Sequence, residues 1–161
     1  QYTPLMRFLK DIGAPLPGAL RTAADFILNA ELRRQFEGGQ PDPARIRSLL
    51  QEAQTDNVDL QREDLGFAIK AHLDNQLERL TATPDDAALL ARNGEIAEIV
   101  HSMNIEVNLW KTQNLYFKLL KNVVPSQREK SDQGDASAGE WLQHFTRLGD
   151  QLGFKVNGNG G

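Results

Sequence analysis

A chain of 161 residues that is 40% hydrophobic can bury one good core and is short for two comfortable domains. A net charge of −4 and the absence of cysteine argue against a nucleic-acid binder, exclude disulfides, thiolate metal sites and a cysteine nucleophile, and fit a cytoplasmic protein. No run of about 18 apolar residues exists and the N-terminus lacks a basic-then-apolar secretory signal, so no membrane is expected as a partner.

The first residues, Gln1-Tyr2-Thr3-Pro4, lead straight into a helical pattern and read as the start of a piece excised from a longer polypeptide. Three pairs, Thr3-Pro4, Asp42-Pro43 and Thr83-Pro84, mark helix starts. The side-chain oxygen accepts an orphaned N–H, and proline at the first helical position lacks one anyway. The first helix spans Pro4 to about Ile12, presents Leu5, Phe8, Leu9 and Ile12, and ends at Gly13. Ala14-Pro15-Leu16-Pro17 makes a stiff corner. A second helix from about Gly18 to Glu37 carries an apolar stripe of Leu20, Ala23, Ala24, Ile27, Leu28, Leu32 and Phe36.

The third helix, Pro43 to about Thr55, offers Ile46, Leu49, Leu50 and Ala53 to a core, and a longer one follows from Leu60 to about Leu80. A fifth is expected from Pro84 to Met103, with Asp85 and Asp86 in its first turn, where carboxylates complement the helix dipole. The central helix then runs from Val107 to Val124, stopped by Pro125. Residues 126–139 hold no apolar side chain larger than alanine and read as a flexible linker. A last helix at 140–153 presents Trp141, Leu142, Phe145, Leu148 and Leu152, and 154–161 reads as a disordered tail. The fold class is all-α, an irregular helical bundle of about six to seven helices, with residues 1–125 as one bundle domain.

Charge is uneven along the chain. Residues 52–106 hold four basic against twelve acidic side chains, while 1–51 and 107–161 each hold seven against five. A solvated acidic helix face accounts for this, and docking on a basic partner surface is the alternative.

The segment Val107-Asn108-Leu109-Trp110-Lys111-Thr112-Gln113-Asn114-Leu115-Tyr116-Phe117 is the densest cluster of aromatic and amide side chains in the chain. At about 100° per residue, Leu109, Tyr116, Leu120 and Val123 share an apolar arc, flanked by Val124, Phe117 and Trp110 on one side and by Leu119 on the other. An arc this wide predicts a helix between neighbours near the centre of the domain, with Asn108 as its cap. Gln113 falls inside the arc and needs hydrogen-bond partners, because an unpaired buried amide costs about 1 to 3 kcal/mol.

Chemistry is mostly missing. Glu98-Ile99-Val100-His101 has the spacing of one arm of a di-metal carboxylate site, which needs two such motifs plus two more glutamates, and no second Glu-x-x-His exists. His72 and His144 fit core or boundary positions. Asp59, Glu63 and Asp64 sit on a wet helix face where nothing desolvates them. No nucleophile elbow, phosphate-binding glycine loop or nucleotide fingerprint occurs, so neither catalytic residues nor a cofactor or metal are expected. What remains is Trp110, Gln113, Asn114 and Tyr116 as carbohydrate-binding candidates, since planar rings stack on the C–H face of a sugar while amides bond its hydroxyls. The plainer account makes Trp110 and Tyr116 core, with Thr112 and Gln113 satisfying backbone groups of a neighbouring helix.

Leu5-Met6-Arg7-Phe8-Leu9-Lys10-Asp11-Ile12-Gly13-Ala14-Pro15-Leu16-Pro17 and the stretch from Val107 to Tyr116 together resemble the C-terminal helical region, of unknown function, that follows the catalytic barrel in bacterial α-amylase/α-mannosidase-like proteins of glycoside hydrolase family 57. The resemblance covers about residues 2–124. It implies an upstream barrel of the same polypeptide, holding a glutamate nucleophile and an aspartate acid/base that act on α-linked sugars by the retaining route. None of those catalytic residues is in this chain. By that resemblance the chain is a non-catalytic accessory domain, with the barrel as partner and an α-linked oligosaccharide at a shared cleft that Trp110 would suit. Such a domain should expose an apolar patch on the order of several hundred Å². The alternative is a free-standing helical scaffold or interaction module.

Overall fold

The computed structural model describes residues 4–13 and 18–153, and every described element is an α-helix. The expected Thr3 cap, the corner at 14–17 and the tail at 154–161 lie outside the described residues, as do the side chains of Leu5 and Leu9. Eight helical segments follow in order: α1 (Pro4–Asp11), α2 (Gly18–Glu37), α3 (Pro43–Thr55), α4 (Arg62–Ala82), α5 (Ala87–Ser102), α6 (Trp110–Asn122), α7 (Val124–Asp132) and α8 (Ala136–Gln151). Only Val123 separates α6 from α7, so counted as one broken helix they make seven. The all-α expectation holds. The expected single bundle over 1–125 does not, because the chain divides into two compact units, Gln1–Ala68 and Ile69–Gly161, with α4 contributing 62–68 to the first and 69–82 to the second.

In the first unit α2 packs on α3. Ala24, Leu28, Leu32 and Phe36, each four residues on from the last, are the buried edge of α2, and they share the core with Ile46, Leu49 and Ala53 of α3. Ala23 of the expected stripe faces solvent, since a four-residue period follows one narrow ridge of the helix. Asp42 accepts from the Ala44 N–H at 3.0 Å with Pro43 in the first turn, as the Asp-Pro signal predicts. Buried Asn29 is fully used: its Nδ2 donates to the Asp25 carbonyl at 2.8 Å and the Asp59 carbonyl at 2.9 Å, and its Oδ1 accepts from the Gln61 N–H at 2.7 Å. One amide thereby fastens α2 to the turn that leads into α4.

In the second unit α8 packs on α5 and on α7, and the core runs through Leu77, Leu80, Leu90, Tyr116, Trp141 and Phe145. Phe145 stacks on Tyr116 with ring centroids 4.2 Å apart and on Trp141 at 5.0 Å. Both polar tips are paired. The Tyr116 hydroxyl donates to the Phe145 carbonyl at 2.9 Å, and the Trp141 indole N–H donates to the Pro84 carbonyl at 2.7 Å, so these rings are buried without an orphaned donor.

Two expectations are corrected here. The stretch at 126–139 is not a linker but α7, a turn at Gly134 (φ 94°) and the first turn of α8. Its polarity misleads because α7 buries only Val124 and Gln127, the latter donating to Asp85 Oδ1 at 3.2 Å. Pro125 begins this helix rather than merely ending the one before, being tolerated in a first turn. Asp135 caps α8, accepting from the Ser137 hydroxyl and the Ser137 and Ala138 N–H groups. The Ser137 hydroxyl first, then the Ala138 N–H, hold its carboxyl below the usual carboxylate range. Helix α5 likewise starts at Ala87 instead of Pro84, because Asp86 accepts from the Leu89 N–H at 3.0 Å and so becomes the cap.

Candidate functional site

The N-cap of helix α6 is Leu109, which offers no side-chain cap, so the expectation of Asn108 as the cap is corrected by one residue: from just before the cap, Asn108 Oδ1 accepts from the Trp110 N–H at 3.1 Å. The buried residues of α6 are Thr112, Tyr116 and Leu119, a ridge rotated away from the arc expected from Leu109, Tyr116, Leu120 and Val123. The reason lies on α4. Buried Asp74 accepts from the Thr112 hydroxyl at 2.7 Å and from Lys70 Nζ at 2.7 Å, and a buried carboxylate needs such donors. Satisfying Asp74 turns Thr112 inward and rolls the aromatic flank outward. Lys111 pairs with Glu78 at 2.5 Å on the same side, and that hydrogen bond, with the carboxylate charge behind it, raises the Lys111 pKa.

Helix α6 is therefore a surface helix, which corrects the expectation of a central one. Trp110 is 72% exposed and Phe117 47% exposed, and Asn114 and Lys121 are exposed too. Positions 110, 114, 117 and 121 share one face at spacings of four, seven and eleven residues. The two rings stand about 10 Å apart along the axis, with Asn114 between them and Lys121 Nζ 5.6 Å from the Phe117 centroid, in cation–π range.

The four carbohydrate-binding candidates thus separate. Trp110 and Asn114 come together on the open face. Tyr116 does not join them: it is core, and burial, with the nearby Asp150 charge as a second cause, raises its hydroxyl pKa well above the ordinary tyrosine value. Gln113 is committed as well, Nε2 donating to the Leu152 carbonyl at 2.8 Å. The backbone-satisfying role fits Gln113, whereas Thr112 bonds a side chain, and Trp110 is not core. Phe117 and Lys121 complete the face and were not singled out from the sequence. Their signal was the seven-residue repeat from Trp110 and the four-residue step from Phe117 to Lys121.

No family model matches the chain, and no curated protein or solved structure shows significant similarity to it.

The acidic candidates do not converge. Asp59, Glu63 and Asp64 are exposed, and Glu98 is held by Arg147. Among the described residues no group of three histidine or carboxylate side chains is placed to hold a metal ion. His72 is buried, and desolvation lowers its pKa from 6.5 to about 4, so it is neutral at ordinary pH. His144 is half-buried beside Glu140 at 3.5 Å. No helix of the described residues is long and apolar enough to cross a membrane. What the open face of α6 can do chemically is bind: two rings offer apolar platforms, and an amide and an ammonium offer hydrogen bonds.

Proposed function

We propose that this chain is a non-catalytic helical accessory domain of a family 57-type glycoside hydrolase, packing on the catalytic barrel of the same polypeptide and lining its carbohydrate cleft. The likeness rests on the two stretches at 5–17 and 107–116. The observation that carries the binding role is the exposed α6 face, on which Trp110 and Phe117 flank Asn114 and are held by a helix pinned from behind through Thr112, Gln113 and Tyr116. A uniformly polar surface would have counted against a docking domain. Phe8, Ile12, Phe26 and Phe67 of the first unit are exposed as well, in keeping with apolar surface reserved for a partner.

The test is Trp110→Ala in the full-length polypeptide. A fall of about tenfold or more in kcat/KM on a maltooligosaccharide, with the thermal midpoint unchanged, is expected for a cleft role. Unaltered turnover removes Trp110 from the cleft. A free-standing interaction module is the second reading, favoured by the exposed first-unit side chains, which need no sugar to be useful. It predicts that Phe67→Glu disrupts association while Trp110→Ala leaves carbohydrate turnover alone.

A further inference from the structure

A cavity of about 240 Å³ opens in the second unit between the C-terminal half of α5, the segment at 104–109 and the end of α8. Its inner walls are apolar side chains that are themselves buried: Leu73, Ala97, Val100, Ile105 and Leu152. Val107 and Leu109 are half-buried at its outer side, and His101, Asn104 and Gln151 supply its polar rim.

Three features make this more than a packing gap. Its volume exceeds the roughly 150 Å³ of an apolar cavity that admits benzene, and its apolar inner walls offer dispersion contacts to a ligand body of that size or larger. The walls are held open. Gln113 Nε2 fixes the Leu152 carbonyl at 2.8 Å from α6, and Asn104 holds the left-handed conformation (φ 53°) that turns the chain out of α5 and over the cavity. That conformation is uncommon for any residue but glycine, although asparagine tolerates it better than most. The rim also holds spare hydrogen-bonding capacity, because the His101 and Gln151 side chains make no hydrogen bond or ion pair to another described residue.

We infer that this cavity is a binding site for a small, uncharged aromatic molecule with an apolar body and one N–H or O–H, the body lying against Leu73, Val100 and Leu152 and the polar group reaching Gln151. An uncharged ligand follows from the lining, in which no Lys, Arg, Asp or Glu takes part. A flat bicyclic body matches a volume between that of a benzene site and the range of about 300 to 1,000 Å³ typical of drug-sized ligands. The inference is separate from the α6 face, and the two can fail independently.

Indole serves as the probe. Titrated into the full chain and followed by methyl and amide NMR, it is expected to give saturable shifts concentrated at Leu73, Val100, Ile105, Val107 and Leu152. Filling the cavity with Val107→Trp should weaken binding about tenfold or more while the remaining spectrum stays dispersed. Gln151→Leu should weaken indole severalfold and leave naphthalene, which has no donor, unchanged or tighter. Absence of saturation up to the solubility of indole, or shifts centred on Trp110 and Phe117, overturns the inference. So does an indole-to-naphthalene preference that Gln151→Leu leaves intact, a result that still decides the matter if Val107→Trp fails to fold.

Discussion

Helices α6 and α8 each carry a Trp and a Phe, and turn them in opposite directions. Trp141 and Phe145 of α8 are 3% and 1% exposed, against 72% and 47% for Trp110 and Phe117 of α6. Aromatic density marks α6 as the centre of the domain and the polar run at 126–139 marks α8 as a tethered appendage, yet the packing reverses the two. A ring lies in the core when a neighbouring surface is shaped to receive it and its polar atoms find partners, as Trp141 does on the Pro84 carbonyl. In α6 the inward ridge is Thr112, Tyr116 and Leu119, its register set by the carboxylate of Asp74, which needs the Thr112 hydroxyl, and Trp110 and Phe117 are left to solvent.

The sharpest way to break this contrast is Phe145→Ala, which removes the middle ring of the stack. A loss of about 3 to 5 kcal/mol is expected in urea denaturation, and a loss under about 1 kcal/mol would make α8 the appendage after all. Next comes acid. His72 stays neutral in the folded chain down to about pH 4 but takes up a proton near 6.5 when unfolded, so the unfolded state binds more protons between those values. Stability is then full above pH 6.5 and falls as pH drops towards 4, by on the order of 3 kcal/mol from this group. Denaturation midpoints measured between pH 4 and 7 should show that slope diminished in His72→Leu.

Smaller again is Thr112→Val, which leaves Asp74 with Lys70 but without the hydroxyl donor. A cost of about 1 to 3 kcal/mol follows, and a neutral result would remove the reason given for the orientation of α6. The least effect belongs to Trp110→Ala, expected within about 0.5 kcal/mol of the parent in the isolated chain. A loss comparable to that of Phe145→Ala would place the indole in a core and end its candidacy as a binding platform.

Much of this fold was legible residue by residue. Asp42-Pro43 announces α3, because a cap is a local contract between a side chain and the next few N–H groups. Asp86 shows the limit of that reading. Two aspartates follow Thr83-Pro84, and which of three oxygen-bearing residues becomes the cap depends on where the Leu89 N–H lies. The polar helix α7 was missed since two buried side chains are too few to register as a period. For the candidate site, Trp110 and Asn114 were found by residue type, and Tyr116 and Gln113 were drawn in with them because neighbours in sequence are about 100° apart on a helix and face different ways.

By itself, the sequence determined that the chain is helical, where most of the helices begin and end, and that Gln113 must find a partner. All of these follow from spacing, capping and composition within a few residues. Only the tertiary structure decided which side of α6 is buried, that α8 supplies two of the three stacked core rings, that the chain divides near residue 68 and that a cavity opens beside Leu152. These depend on which surfaces meet across long sequence separations, as when Thr112 finds Asp74 and Tyr116 finds the Phe145 carbonyl, and no local period records such a meeting.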